Sequence, residues 1–227
     1  PAAMDTIMTH LQGTNTKVED YDLIATGDLG KLGSEILVDY SYAVTKGEVV
    51  KPTECQDILL GAPSIWAAMY KMDLLKKNDI WFLETPGASY QDTSFAFKVY
   101  IAADRVMALP KQLHHYRING NSSVNSPGKL FYVCDEEAEI RRFVAERGLT
   151  ETLKEAMAFR SFGSYRWNYD RLATLPLKRQ FMKRWSSELR AMFENGEMTR
   201  RYYSKNRRMR LWLAAYCPFV YYFTKKF

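Results

Sequence analysis

Ile80-Trp-Phe-Leu-Glu-Thr-Pro-Gly-Ala-Ser-Tyr-Gln-Asp-Thr-Ser-Phe-Ala-Phe-Lys-Val-Tyr-Ile-Ala-Ala103 is the stretch on which the reading of this chain turns. Ile80 to Leu83 is a short apolar run of the kind that forms a buried strand, Thr85-Pro-Gly-Ala88 is a turn, and apolar residues return at helical spacing from Asp92 onward. Asp92 thus falls in the first turn of a helix, where backbone N–H groups and the helix dipole hold a carboxylate ionised and fix its direction. Such an aspartate suits general-base chemistry; an ordinary helix cap is the plainer reading of the same position.

Working outward, Met4, Ile7, Met8 and Leu11 make a short opening helix that stops at Gly13-Thr-Asn-Thr16. Residues 21–26 and 35–44 have the β-branched and aromatic density of strands and are separated by the glycine-rich stretch Gly27 to Gly33. A helix is expected after Pro63, carrying Ile65, Trp66, Met69, Tyr70, Met72, Leu74 and Leu75 on one face. Residues 105–109 and 112–118 read as two further strands, and 119–128 as a polar loop. From Asp135 the pattern is helical, with breaks expected near Gly148, Gly163, Pro176 and Gly196. The expected organisation is a mixed α/β part over residues 1–126 and a helical part over 127–227.

The 227 residues are 47% hydrophobic and 26% charged, a balance that can bury a core. A run of about 18 apolar residues, the minimum for a spanning helix, does not occur, and Pro1-Ala-Ala-Met-Asp5 lacks the layout of a signal peptide. A cytoplasmic location follows as the expectation, with peripheral contact on the inner face of a membrane as a refinement. Cys55, Cys134 and Cys217 are widely spaced, fitting reduced thiols rather than a disulfide framework or zinc site. Much of the +6 net charge lies after residue 177, including Lys205-Asn-Arg-Arg-Met-Arg210. Basic clusters of this kind are either solvated helix faces or contacts for anionic partners. Without a stacking platform or recognition motif, nucleic acid is not expected as a partner. Residues 209–227 mix aromatics with flanking Lys and Arg, a composition suited either to a membrane interface or to docking on the protein's own core.

Pro63-Ser-Ile-Trp66, Tyr70 through Ile80, Phe82 through Asp92, Phe95, Phe97-Lys98, His115-Tyr-Arg117 and Asn121-Ser-Ser123 together resemble the second half of bacterial family-2 glycosyltransferases of the GT-A fold. The resemblance covers roughly residues 60 to 126 in order and spacing. It implies the acceptor-side half of an α/β GT-A domain followed by a helical C-terminal extension. The implied function is inverting sugar transfer from a nucleotide-sugar donor to a glycan or lipid-linked acceptor in surface polysaccharide synthesis. By the same resemblance Asp92 is the catalytic base, Trp66, Tyr90 and Gln91 line the acceptor site, and Arg117, Ser122 and Ser123 close on the donor diphosphate. His115 is a candidate metal ligand; because His114 and His115 alternate faces on a strand, at most one of them points into a given site.

A GT-A enzyme also needs a nucleotide-binding half of roughly 90 to 100 residues ending in an Asp-x-Asp metal element. The chain has no room for it, and Asp20-Tyr-Asp22 opens a strand instead of ending one. A divalent cation, Mn²⁺ or Mg²⁺, is therefore expected only in a full-length parent, and this portion is expected to be inactive alone. The competing reading is a non-catalytic interaction module whose basic helices dock on a partner protein or an anionic membrane surface.

Overall fold

The computed structural model describes residues 2–27, 49–61, 65, 68–85, 90–112 and 129–224. These fall into two compact units, one built from Pro1–Glu84 with Gln91–Gly120 and the other from Thr85–Tyr90 with Asn121–Phe227.

The first unit opens with helix α1, Ala2–Thr14, which runs one turn past Leu11. Strand β1, Leu23–Gly27, pairs parallel with β4, Val106–Gln112, in the register Leu23 to Val106 and Ala25 to Ala108. Strand β2, Val49–Val50, adds antiparallel to β4, and β3, Ala68–Tyr70, antiparallel to β1, giving the order β2-β4-β1-β3. Helix α2, Met72–Lys77, follows β3, and helix α3, Gln91–Ala102, precedes β4.

Every side chain of α3 from Ser94 to Ile101 is buried, so this helix is a central core element rather than an amphipathic surface one. Phe97, Val99, Leu59, Ile80, Val106 and Met107 are fully out of solvent and form much of the unit's core. Lys98 is the exception within the helix; its Nζ donates to the Trp81 carbonyl at 2.8 Å, so the buried cation has a hydrogen-bond acceptor.

Two expected elements differ. Residues 68–70 pair with β1 instead of continuing a helix from Pro63, and the Lys71 N–H donates to the Asp22 carbonyl at 3.3 Å. Sheet pairing here overrides the local helical pattern, which survives only in α2. Ile80 to Leu83 is not a strand. The Ile80 N–H closes on the Leu75 carbonyl at 2.9 Å, Asp79 takes a positive φ of 50°, and Phe82 stacks on Phe95 with centroids 4.1 Å apart. An apolar run of four residues is equally at home in a packed turn, which periodicity alone does not distinguish from a strand.

The second unit is helical throughout its described residues. It comprises α4 (Tyr132–Glu146), α5 (Thr150–Arg171), α6 (Leu175–Glu194), α7 (Lys205–Tyr216) and α8 (Pro218–Thr224). Gly148 and Gly196, at φ of 67° and 68°, follow the ends of α4 and α6 in the left-handed conformation that glycine adopts freely. Pro176 starts α6 rather than breaking a helix, since its missing N–H falls among donors that the first turn leaves unpaired anyway. Gly163 lies inside α5 without interrupting it.

Trp185 is the hub of this unit's core. Its ring lies 5.6 to 6.2 Å from those of Phe162, Tyr169, Phe181 and Tyr221. Two buried carboxylates of this unit are paired: Glu197 accepts a two-pronged hydrogen bond from Arg141 at 3.1 and 2.8 Å, and Glu137 accepts from Arg160 at 2.9 Å and Ser161 at 2.8 Å. Glu188 accepts from Tyr165 and from Arg184.

These findings correct the expected fold class. Most described residues are helical, and the sheet is four short strands with a single parallel pair, so the described residues do not form the α/β sheet of a GT-A domain. Of the strands expected at 80–83 and 105–109, the first is absent and the second is realised as Val106–Gln112, which runs on to the residue where a separate strand was expected to begin. The expected strand at 35–44, residues 113–118 of the strand expected at 112–118, and the loop at 119–128 lie outside the described residues.

Candidate functional site

Asp92 occupies the first turn of α3, as its position before the apolar run required, and is half-buried. Its charge reaches Tyr70: burial, and secondarily Asp92, push the Tyr70 phenol up to about 12. The Tyr70 hydroxyl donates to the Ile65 carbonyl at 2.9 Å, and its ring meets Phe95 edge-on at 5.5 Å. Gln91 is the first residue of the same helix.

Tyr90 is held elsewhere. It belongs to the second unit, with a positive φ of 64°, and its hydroxyl donates to Asn168 Oδ1 at 2.6 Å while its ring stands edge-on to Trp167 at 5.7 Å. Asn168 Nδ2 donates in turn to the Leu130 carbonyl at 3.3 Å, so both ends of one buried amide anchor chain segments on α5. This gives Tyr90 a structural role that sequence spacing did not reveal. Trp66, His114, His115, Arg117, Ser122 and Ser123 lie outside the described residues.

The Asp20 and Asp22 carboxylates cap the backbone. Asp20 Oδ2 accepts from the Lys17 N–H at 2.8 Å, and Asp22 Oδ2 from the N–H groups of Asp104 and Arg105 at 3.1 and 3.2 Å. Among the described residues, no group of three or more His, Cys, Asp or Glu is arranged to hold a metal ion.

A more distinctive arrangement lies in the second unit, where α5, α7 and α8 border a groove of about 680 Å³. Ser204 caps α7 by accepting from the Arg207 N–H at 3.3 Å, which sets the phase of that helix. Leu211, Ala214 and Ala215 then face inward, while Met209 and Trp212 face out, 59% and 46% exposed. Arg207 lies against aromatic faces, its guanidinium 5.4, 5.5 and 5.6 Å from the ring centres of Phe159, Phe162 and Tyr203.

Arg166 from α5 and Arg210 from α7 join Arg207 in the groove wall, with Tyr221 from α8. Burial raises the Tyr221 phenol, and Arg166, Arg210 and Arg207 each oppose that rise. Three positive charges therefore act on one hydroxyl. Such a wall is suited to an anion, because guanidinium groups present fork-shaped donors and are weakly hydrated. The sequence carries one signal for it: beyond Glu197 the chain has eight Lys and Arg and no Asp or Glu. Arg166 was not marked by any such run and is found only through the packing of α5 against α7.

No described helix is long and apolar enough to cross a membrane. Cys134 is buried and Cys55 and Cys217 are half-buried, and all three are free thiols.

A protein-family model described as Stage V sporulation protein AD (SpoVAD) matches residues 1–54. Stage V sporulation protein AD of Bacillus subtilis (strain 168) is 54% identical over 39 residues, which are 17% of this chain and 12% of that protein. The chain thus spans only about an eighth of the curated relative it matches. No solved structure matches. The matched residues hold α1, β1 and β2, the beginning of the first unit. These findings overturn the family-2 glycosyltransferase assignment and, with it, the expectations of sugar transfer and polysaccharide synthesis: they bring no glycosyltransferase evidence, and the likeness they establish is to SpoVAD over residues 1–54.

Proposed function

We propose that this chain acts in spore formation, at the stage V step that gives its relative its name, as a binding component. The observation that carries this reading is the match of residues 1–54 to the SpoVAD model, with 54% identity over 39 residues to the Bacillus subtilis protein. A segment of that length is marginal for a core of its own. In this chain the matched strands are completed by β3 and β4 from outside the match, and α3 adds much of the buried apolar surface. The matched segment is thus presented as part of a folded unit, the form in which a binding component would offer it to a partner.

Deleting the gene in its own host tests the reading. Vegetative growth is expected to be unchanged while the yield of heat-resistant spores falls, and a plasmid copy restores it. Normal spore yield, or a defect already present in growing cells, overturns the proposal.

A further inference from the structure

We propose that the groove bordered by α5, α7 and α8 seats the phosphate of an anionic phospholipid headgroup, with Arg166, Arg207 and Arg210 as its cationic wall. The inference rests on residues of the second unit and is independent of the sporulation reading, which rests on residues 1–54.

Arg207 is pinned by three aromatic faces instead of by a carboxylate, so its N–H groups are oriented before any anion arrives. No ion pair holds Arg210 among the described residues, and Arg166 has only a long, exposed contact with Asp170 at 3.8 Å. All three line the groove together with Tyr221, and each opposes the rise that burial imposes on its phenol. Acidic residues that could neutralise this end are absent from the sequence after Glu197.

A lipid source is favoured over a free phosphate by the exposed apolar side chains of the helices that carry the groove. Met209, 59% exposed, lines the groove itself, and Trp212 on α7 and Phe219 on α8 are 46% and 77% exposed. Exposed apolar side chains on helices that also carry a basic wall are the pattern of a segment that lies in a membrane interface, where the apolar groups leave water and the cations meet headgroups. A soluble phosphate would use the arginines and leave these side chains in water.

Sedimentation of the full chain with vesicles tests this, using phosphatidylcholine alone against phosphatidylcholine with phosphatidylglycerol. Binding is expected only to the second. The double variant R166Q/R210Q, in which Arg207 keeps its packing role, is expected to bind about thirtyfold more weakly. Removing the same charge outside the groove, with R200Q/R201Q, is expected to cost clearly less. Trp212→Ser with Phe219→Ser is expected to weaken vesicle binding without changing the thermal midpoint. Failure to bind the anionic vesicles overturns the proposal, as does equal loss from the two arginine pairs. Retention of full vesicle binding by the Trp212/Phe219 variant, with inorganic phosphate alone displacing the vesicles at matched ionic strength, assigns the groove to a soluble phosphate and overturns the lipid assignment.

Discussion

In the first unit a helix buried from Ser94 to Ile101 accompanies a sheet of four short strands, and ion pairs such as Lys51 with Glu54 and Asp104 are exposed. In the second unit Trp185 meets aromatic rings of three helices, and Glu137, Glu188 and Glu197 are each tied to an arginine. Exposed pairs contribute little to stability, whereas a buried carboxylate that loses its partner is costly. The first unit is therefore held chiefly by apolar burial, and the second by apolar burial together with a polar network that fixes which helix faces which.

The largest test of this contrast is Trp185→Ala, expected to destabilise the second unit by about 3–5 kcal/mol in urea unfolding. Trp185→Phe sharpens it. The indole Nε1 has no hydrogen-bond partner in the structure, so the swap is expected to cost under about 1.5 kcal/mol. Glu197→Gln comes next: it removes the charge that receives Arg141 and is expected to cost about 2 kcal/mol, reduced from a fully buried pair because Arg141 is one-third exposed. Glu54→Gln, at an exposed pair of the first unit, is expected to cost under about 0.5 kcal/mol, and an equally small loss for Glu197→Gln would erase the distinction between the units.

Alkaline titration probes burial within the second unit. Burial pushes the Cys134 thiol from 9.0 up to about 12, and it also raises the Tyr165 phenol. The folded state keeps these protons after the unfolded chain has released them, so stability is full below about pH 9 and falls as pH rises toward 12. Cys134→Ala is expected to flatten the part of this decline that begins near pH 9, measured as the urea midpoint. Asp92→Asn has the smallest expected effect, about 0.5 kcal/mol, the worth of a first-turn charge on α3.

The helices of the second unit were largely legible in the sequence because each is specified by contacts three and four residues apart, and Gly148 and Gly196 mark ends that only a left-handed residue completes. The sheet was less so. Residues 68–70 carry a helical pattern yet form a strand because β1, more than forty residues earlier in sequence, offers them a partner. Asp92 was correctly placed at a helix start, while the hydrogen bond that holds Tyr90 was not legible, because its partner Asn168 lies 78 residues away. The arginine groove was half legible: the basic run at 205–210 is plain in the sequence, but Arg166 reaches the same place only through the packing of α5. The resemblance read over residues 60 to 126 came from short motifs, whose described residues fall here in β3, α2, a packed turn and α3.

The central claim, that residues 1–54 carry the sporulation function, is tested most directly by exchange. The matching segment of Bacillus subtilis Stage V sporulation protein AD would be replaced by residues 1–54 of this chain, with a scrambled segment as control, and heat-resistant spores counted at equal protein level. The account predicts a spore yield close to that of the unaltered protein and well above the scrambled control; a yield no better than the scrambled control would contradict it.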